Sequence, residues 1–440
     1  MCGGGRPRQG GGIYYPERWC AAMTTTPLSS QMSRIRWLVP LCEFPGITRD
    51  TGGIGTQFAA LLPRLAELGV DVTLLILPDS QVVQNPTGPM GPDVVIGRRY
   101  GWLPSGLRSI PRAVDVRRVA RAGRFDVVFA PEWRGIAAFV EQLPVVTNLV
   151  TGVELFADKD ANTTPLRRVR RRLRVLVQGV LERTQIERSA GIVACSSAVL
   201  DWYEARFSLP PVREVVPNCI DVDSLKRASS GVGGDIEGWP ESPLVILHAG
   251  RVQSIKGAEQ TLAAFNTVAL ERRDVSLVLA GRVVHEGGVA AYEKLVQPDV
   301  KSRVKFIGHV EPEELHAAMG RATFCVMPSL WESFGNVALE AKGAGAPVIV
   351  TSGTGFVDFC ADGVDSIVVP PGDADALANG MRLLLEDEPL RGRLASRGSE
   401  QVWEFDARRV APRLVAAVHR AMRGKSSMRD LPANPPTERD

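Results

Sequence analysis

A chain of 440 residues, 45% hydrophobic and 23% charged, has the length for two or three domains and an ordinary globular composition, which excludes a fibrous or wholly disordered protein. The formal net charge of +3 hides an asymmetry: residues 1–220 carry 27 Lys+Arg against 19 Asp+Glu, the remainder 25 against 30. That basic surplus is mild and aromatic residues make up only 6%, so nucleic-acid binding is not expected.

The N-terminal stretch "MCGGGRPRQGGG" has no hydrophobic signal core, and residues 1–32 are expected to form a disordered extension. No run of eighteen apolar residues occurs. Seven cysteines, at 2, 20, 42, 195, 219, 325 and 360, are odd in number and unpaired in spacing, which fits a reducing cytoplasm better than a disulfide framework or a zinc site. Apolar runs at 35–42, 71–78, 125–131, 144–150 and 191–197 predict strands, separated by helical-period segments such as "GTQFAALLPRLAELG". The stretch 163–190 predicts a long helix with Leu166, Val169, Leu173, Leu176, Val177, Val180 and Leu181 on one stripe and arginines elsewhere. That stripe is expected to pack on the N-terminal domain; docking of the helix on anionic lipid is the alternative.

A second strand series follows at 244–250, 275–281, 304–309, 322–328, 347–351 and 366–371. Residues 33–213 and 214–402 thus read as two Rossmann-like, doubly wound α/β domains of about six parallel strands each. Their join is expected near "EVVPNCIDVD" (214–223), followed by a flexible loop at 229–242. A helix over 403–423 is expected to pack back on the N-terminal domain, ahead of a disordered tail at 424–440. Such sheets bind ligands beyond the carboxyl ends of their strands, so two facing across a cleft suit group transfer.

Two motifs carry chemistry. In "WESFGNVALE" (331–340), Glu332 precedes an expected helix start near Gly335, where the N–H groups of Phe334, Gly335 and Asn336 would form an anion site. Glu340 lies eight residues on, a helical separation of about 12 Å, too wide for one metal ion but suited to the two ends of a nucleotide sugar. A plain helix-start carboxylate is the alternative for Glu332. In "HAGRVQSIKG" (248–257), Arg251 and Lys256 follow a strand and could neutralise a departing diphosphate, or else form a solvated basic loop. The pairs "DVD" (221–223) and "DAD" (373–375) read as chance rather than a metal site, the latter as a helix N-cap. No metal or other cofactor is expected.

Together with "GGIG" (52–55), "PNCID" (217–221), "ESFGNVALEAKGAGAPVIVT" (332–351) and "GDADALA" (372–378), these segments resemble the retaining glycosyltransferases of family 4, of the GT-B fold, from about residue 35 to 422. The resemblance implies that Glu332 contacts the transferred sugar, Glu340 the ribose, and Arg251 and Lys256 the diphosphate. It further implies donor contacts from Gly53 and from the backbone of Phe334, Gly335 and Asn336. A histidine usual in that family is missing: Asn148-Leu149 stands where it would lie, and no histidine precedes residue 248. Glu132 and Glu154, at expected strand ends, are the acceptor-side candidates to replace it, with solvated loop charges as the alternative.

The expected activity is metal-independent transfer of a sugar, with retention, from a nucleotide diphosphate sugar to a glycan, lipid-linked or small-molecule hydroxyl. A nucleotide-sugar epimerase and a donor-binding pseudoenzyme are the alternatives. The expected location is the cytoplasm, with anionic membrane at its inner face as a peripheral partner.

Overall fold

The computed structural model describes residues 34–429 apart from 50–51, 79–81, 83–92, 105, 160–164 and 231–235, with the backbone alone at 158–159, 165–174 and 425–429. The expectations for residues 1–32 and for 430–440 lie outside the described residues.

The N-terminal half contains β1 (Ile35–Leu41), α1 (Gly53–Glu67), β2 (Val70–Ile76), β3 (Asp93–Ile96), α2 (Ser109–Ala122) and β4 (Val127–Pro131). It continues through β5 (Val145–Leu149), α3 (Val153–Lys159), α4 (Pro165–Arg188), β6 (Gly191–Ala194), α5 (Ser197–Glu204) and β7 (Arg213–Val215). All its strands pair in parallel, in the order β3-β2-β1-β4-β5-β6-β7. The sequence misses β3 and β7 because both are short edge strands with exposed or half-buried residues, so neither forms a continuous apolar run.

After α6 (Val222–Ser230) come β8 (Leu244–Ala249), α7 (Ala258–Glu271), β9 (Val275–Ala280), α8 (Gly288–Glu293), β10 (Val304–Gly308) and α9 (Pro312–Arg321). Next are β11 (Phe324–Met327), α10 (Asn336–Gly343), β12 (Val348–Thr351), β13 (Ile367–Val369), α11 (Ala374–Glu386), α12 (Glu388–Gln401) and α13 (Ala407–Arg429). This second sheet is also parallel, in the order β10-β9-β8-β11-β12-β13. Strands such as β9, buried at every position, are apolar apart from Ser276 because helices cover both faces. Asp373 caps α11, its carboxylate accepting the Ala376 N–H at 2.8 Å.

The chain passes between the halves twice, and the two crossings are hydrogen-bonded side by side. The Ile220 N–H donates to the Phe405 carbonyl and the Ala407 N–H to the Ile220 carbonyl, each at 3.0 Å. From there α13 runs back onto the N-terminal sheet, where Val410, Leu414 and Val418 join Trp37, Phe58 and Leu65 in one core. The helix continues to Arg429, so residues 424–429 are helical where a tail was expected; Gly424 packs against Val212 without breaking it. The loop expected at 229–242 is shorter than that: α6 extends to Ser230, and Ile236 and Trp239 pack against the core.

The long helix α4 corrects the expected stripe. Leu176 and Val180 are 65% and 58% exposed, whereas Gln178, Glu182 and Gln185 face inward with Leu181 and Ile186. Each buried polar side chain serves a partner on another element. Gln185 accepts the Ala137 N–H at 2.8 Å and donates to the Pro131 carbonyl at 3.0 Å; Gln178 donates to the Ser109 hydroxyl at 2.9 Å. Buried polar groups persist where they are hydrogen-bonded, and hydropathy along the helix does not report that.

Candidate active site

Strand order reverses between β1 and β4 in one sheet and between β8 and β11 in the other. Beyond the carboxyl ends of β8 and β11 lie the loop with Arg251 and Lys256 and the segment 328–335, the crevice such sheets offer to ligands. The two segments are clamped together. The Leu330 N–H donates to the Ile255 carbonyl at 2.9 Å. Gly257 is left-handed at φ 72°, and a Cβ there would lie 2.0 Å from the Pro328 carbonyl oxygen, so only glycine permits the approach.

The clamp sets Lys256 Nζ on Glu332 Oε2 as a hydrogen-bonded ion pair, both side chains partly exposed. Ser329 Oγ donates to the same carboxylate oxygen at 3.4 Å. Arg251 is exposed and has no ion-pair partner among the described residues. Gly335 occupies the N-cap of α10 at φ 104°, a conformation that excludes most side chains, and no side chain among the described residues caps that helix. The Phe334 ring is buried against Phe359, with centroids 4.9 Å apart, which leaves only its backbone for a ligand.

Asn336 begins α10 and accepts from Asn218 Nδ2 at 2.9 Å. From the other half, Gly53 at the start of α1 approaches the same residue: a Cβ on Gly53 would lie 3.6 Å from Asn336 Nδ2. Glu340, further along α10, lies 3.8 Å from His316 Nε2 on α9. Sequence reasoning missed His316 and gave Asn218 no role. Asn218 lies within "PNCID" (217–221), but nothing local marks His316.

The aspartate pairs are used elsewhere. Asp373 caps α11, Asp221 accepts the Ser224 N–H at 2.9 Å, and Asp223 pairs with Arg408 at 2.9 Å. Among the described residues no group of three His, Cys, Asp or Glu is arranged to hold a metal ion.

Sequence comparison falls on both halves of this site. The profile of "Glycosyltransferase Family 4" matches residues 51–224, and that of "Glycosyl transferases group 1" matches residues 235–401. The chain belongs to glycosyltransferase family 4. It is 27% identical over 363 residues to the phosphatidyl-myo-inositol mannosyltransferase of Mycolicibacterium smegmatis, covering 81% of this chain and 86% of that protein. In fold it is similar to the sucrose-phosphate synthase of Thermosynechococcus elongatus (TM-score 0.69, 20% identity, 88% of this chain and 98% of that one). It is also similar to Anabaena HepE solved with UDP-glucose (TM-score 0.61, 17% identity, 88% and 99%). Both structural neighbours are of the GT-B type, and the chain shares that architecture of two parallel-sheet α/β halves.

In this glycosyltransferase the acceptor-side candidates take unequal positions. Glu132, just after β4, is fully buried. Its Oε1 accepts the Val150 N–H at 2.8 Å and the Tyr203 hydroxyl at 3.3 Å, while its Oε2 is buried without a hydrogen-bond partner among the described residues. Burial pushes its carboxyl from 4.5 up to about 7. Glu182 on α4 is buried beside it and accepts the Arg134 N–H at 2.6 Å and the Val153 N–H at 2.8 Å. Burial, then the Glu132 charge, raise the Glu182 carboxyl well above its usual range. A proton held by the pair relieves the repulsion of two buried carboxylates. Glu154, on α3, is partly exposed and lies 3.6 Å from Arg183. Asn148 and Leu149, where the family histidine would lie, are both buried in β5.

Proposed function

We propose that this glycosyltransferase moves a sugar from a nucleoside-diphosphate donor to an acceptor hydroxyl, with retention at the anomeric carbon and without a metal ion. The observation that carries the reading is the Lys256–Glu332 ion pair, a cation and a carboxylate meeting beside the uncapped start of α10. Lys256 and Arg251 take up the charge that develops on the departing diphosphate. The free N–H groups of Phe334, Gly335 and Asn336 attract the same anion. Glu332 holds sugar hydroxyls and offsets positive charge at the anomeric carbon, an interaction strongest in the transition state. Glu340 accepts from the ribose hydroxyls, and Gly53 lets the backbone of α1 approach the phosphates.

The bond from the anomeric carbon to the phosphate oxygen breaks, and the acceptor oxygen bonds that carbon from the same face. The acceptor's proton passes to the departing phosphate oxygen, so no protein base is required. That suits a chain with Asn148-Leu149 in place of a histidine. The relative named as a mannosyltransferase and the neighbour solved with UDP-glucose support a sugar-nucleotide donor. Calorimetric titration with UDP-glucose, UDP-N-acetylglucosamine and GDP-mannose, followed by nucleoside-diphosphate release with and without EDTA, tests the reading. Binding of at least one donor and an EDTA-insensitive rate are expected. Failure to bind any of the three, or strict dependence on added manganese, would overturn it.

A peripheral lipid contact is favoured by one observation: among the described residues no helix is long and apolar enough to cross a membrane, yet α4 leaves Leu176 and Val180 exposed within an arginine-rich sequence. Binding to phosphatidylglycerol vesicles that falls steeply with salt, and that is lost when Arg167, Arg168, Arg170, Arg171 and Arg172 become glutamine, is the expected result. Equal binding by both proteins would rule it out.

A further inference from the structure

The buried pair Glu132–Glu182 has no direct access to the cleft, and its hydrogen bonds converge on one short segment. Glu132 takes the N–H of Val150 and Glu182 that of Val153; Tyr203, itself bonded to Glu132, accepts the N–H of Gly152 at 3.1 Å. Gly152 fits only because it lacks a side chain. A Cβ there would lie 2.2 Å from the Tyr203 hydroxyl and 2.9 Å from Glu182 Oε2. The remaining residue, Thr151, points its hydroxyl the other way, into a hydrogen bond with the Ser333 hydroxyl of the opposite half.

Two further observations mark this arrangement as more than core filling. Arg134, whose N–H Glu182 accepts, is the one non-glycine among the described residues with positive φ, at 66°. Such backbone strain persists where surrounding contacts over-determine it. The segment that Thr151 reaches is itself held on other sides: the Ser333 carbonyl accepts from Cys195 Sγ at 3.6 Å and from Ser196 Oγ, and the Glu332 carbonyl accepts the Gly355 N–H at 2.8 Å. Ser333 lies next to Glu332 in the chain, so its placement limits where the Glu332 carboxylate can sit.

We propose that Glu132, Glu182 and Tyr203 are positioning residues: they fix the 150–153 segment so that Thr151 holds Ser333, and with it Glu332, in register across the two halves. The idea rests on the reading of Glu332 given above. It assigns the buried carboxylates to the geometry of the transfer step and not to acceptor contact. Two carboxylates serve here because the strand ends of β4 and β5 offer several N–H groups that an apolar side chain would leave unsatisfied.

The test uses Thr151→Val, Thr151→Ser, Glu182→Gln and the Thr151→Val/Glu182→Gln double variant of the full chain. Amide hydrogen exchange is read on the 149–154 and 330–336 segments, and nucleoside-diphosphate release is read from whichever of UDP-glucose and GDP-mannose the wild type hydrolyses faster. Thr151→Val should speed exchange in 330–336 as well as in 149–154 and lower kcat about tenfold, with donor KM within about twofold. Thr151→Ser, which keeps the hydroxyl, should recover most of the rate. The double variant should be no worse in kcat than Thr151→Val alone, since that substitution already removes the contact through which Glu182 acts. Exchange changes confined to 149–154, additive losses, or a Thr151→Val rate equal to wild type would overturn the proposal. If Thr151→Val is silent while Glu332→Ala loses turnover, only the positioning idea falls; if Glu332→Ala keeps wild-type turnover, the reading of the site falls with it.

Discussion

The two sheets end their strands in opposite electrostatic styles. Beyond β4 and β5 the N-terminal half buries its carboxylates, Glu132 and Glu182, and uses their oxygens on backbone N–H groups. Beyond β8 and β11 the C-terminal half leaves Lys256, Glu332 and Glu340 partly exposed and Arg251 exposed, while β8 itself buries a base, His248. The difference separates charge that organises the chain from charge that remains available to a ligand. Desolvated carboxylates drift toward the protonated form, whereas groups left partly in water stay within reach of an incoming diphosphate or sugar.

The largest expected effect tests that contrast through pH. Glu132 titrates at about 7 in the folded chain against 4.5, so its contribution to stability is present below pH 4.5 and is lost as pH rises to about 7. His248 is lowered by burial, and secondarily by Lys256, from 6.5 to about 4. Its contribution has the opposite sense: present above pH 6.5 and lost as pH falls to about 4. Each shift corresponds to roughly 3 kcal/mol, and over the shared window the two oppose one another. Urea unfolding across pH 4–8 should therefore show stability that rises more with pH in Glu132→Gln than in wild type, and that falls more with pH in His248→Gln, because each variant leaves the other group's contribution unopposed. Parallel curves for wild type and both variants would erase the distinction between the halves.

Turnover comes next. Lys256→Ala, Arg251→Ala and Glu332→Ala should each lower kcat by about a hundredfold with the fold intact, as expected for groups that act on transition-state charge. Near-UV circular dichroism checks the fold and nucleoside-diphosphate release the rate. Activity fully preserved in both cation variants would return the 251–256 loop to the solvated alternative. Glu340→Ala should act more weakly, raising donor KM by about tenfold with kcat little changed, because a ribose contact is present in ground and transition states alike. The smallest effect belongs to a structural residue of the same half: Asp373→Ala removes the cap of α11 and should cost about 1 kcal/mol in urea unfolding without altering kcat.

Leu149→His would sharpen the comparison from the other side. Leu149 is fully buried in β5, so a histidine there meets a packed core. If only that variant released product from any donor, the assignment of the work to Glu332 and the two cations would be wrong.

Much of this was legible from the residues in order. Strand and helix alternate because a parallel sheet covered on both faces needs continuous apolar strands, and such runs are visible one residue after another. The cations of "GRVQSIKG" and the carboxylates of "ESFGNVALE" could be singled out because strand ends and helix starts are local features. What the sequence could not decide depends on partners far along the chain. Glu182 faces inward on α4, and Leu176 outward, because N–H groups at Arg134 and Val153 need an acceptor, the first of them 48 residues away. Glu132 looked like a surface charge until β5 and α5 closed over it. His316 reached Glu340, and Thr151 reached Ser333, only when separate elements packed. Hydropathy records the preference of each side chain for water, but burial of a polar group is decided by whether a distant donor or acceptor is brought to it, and that is a property of the folded chain.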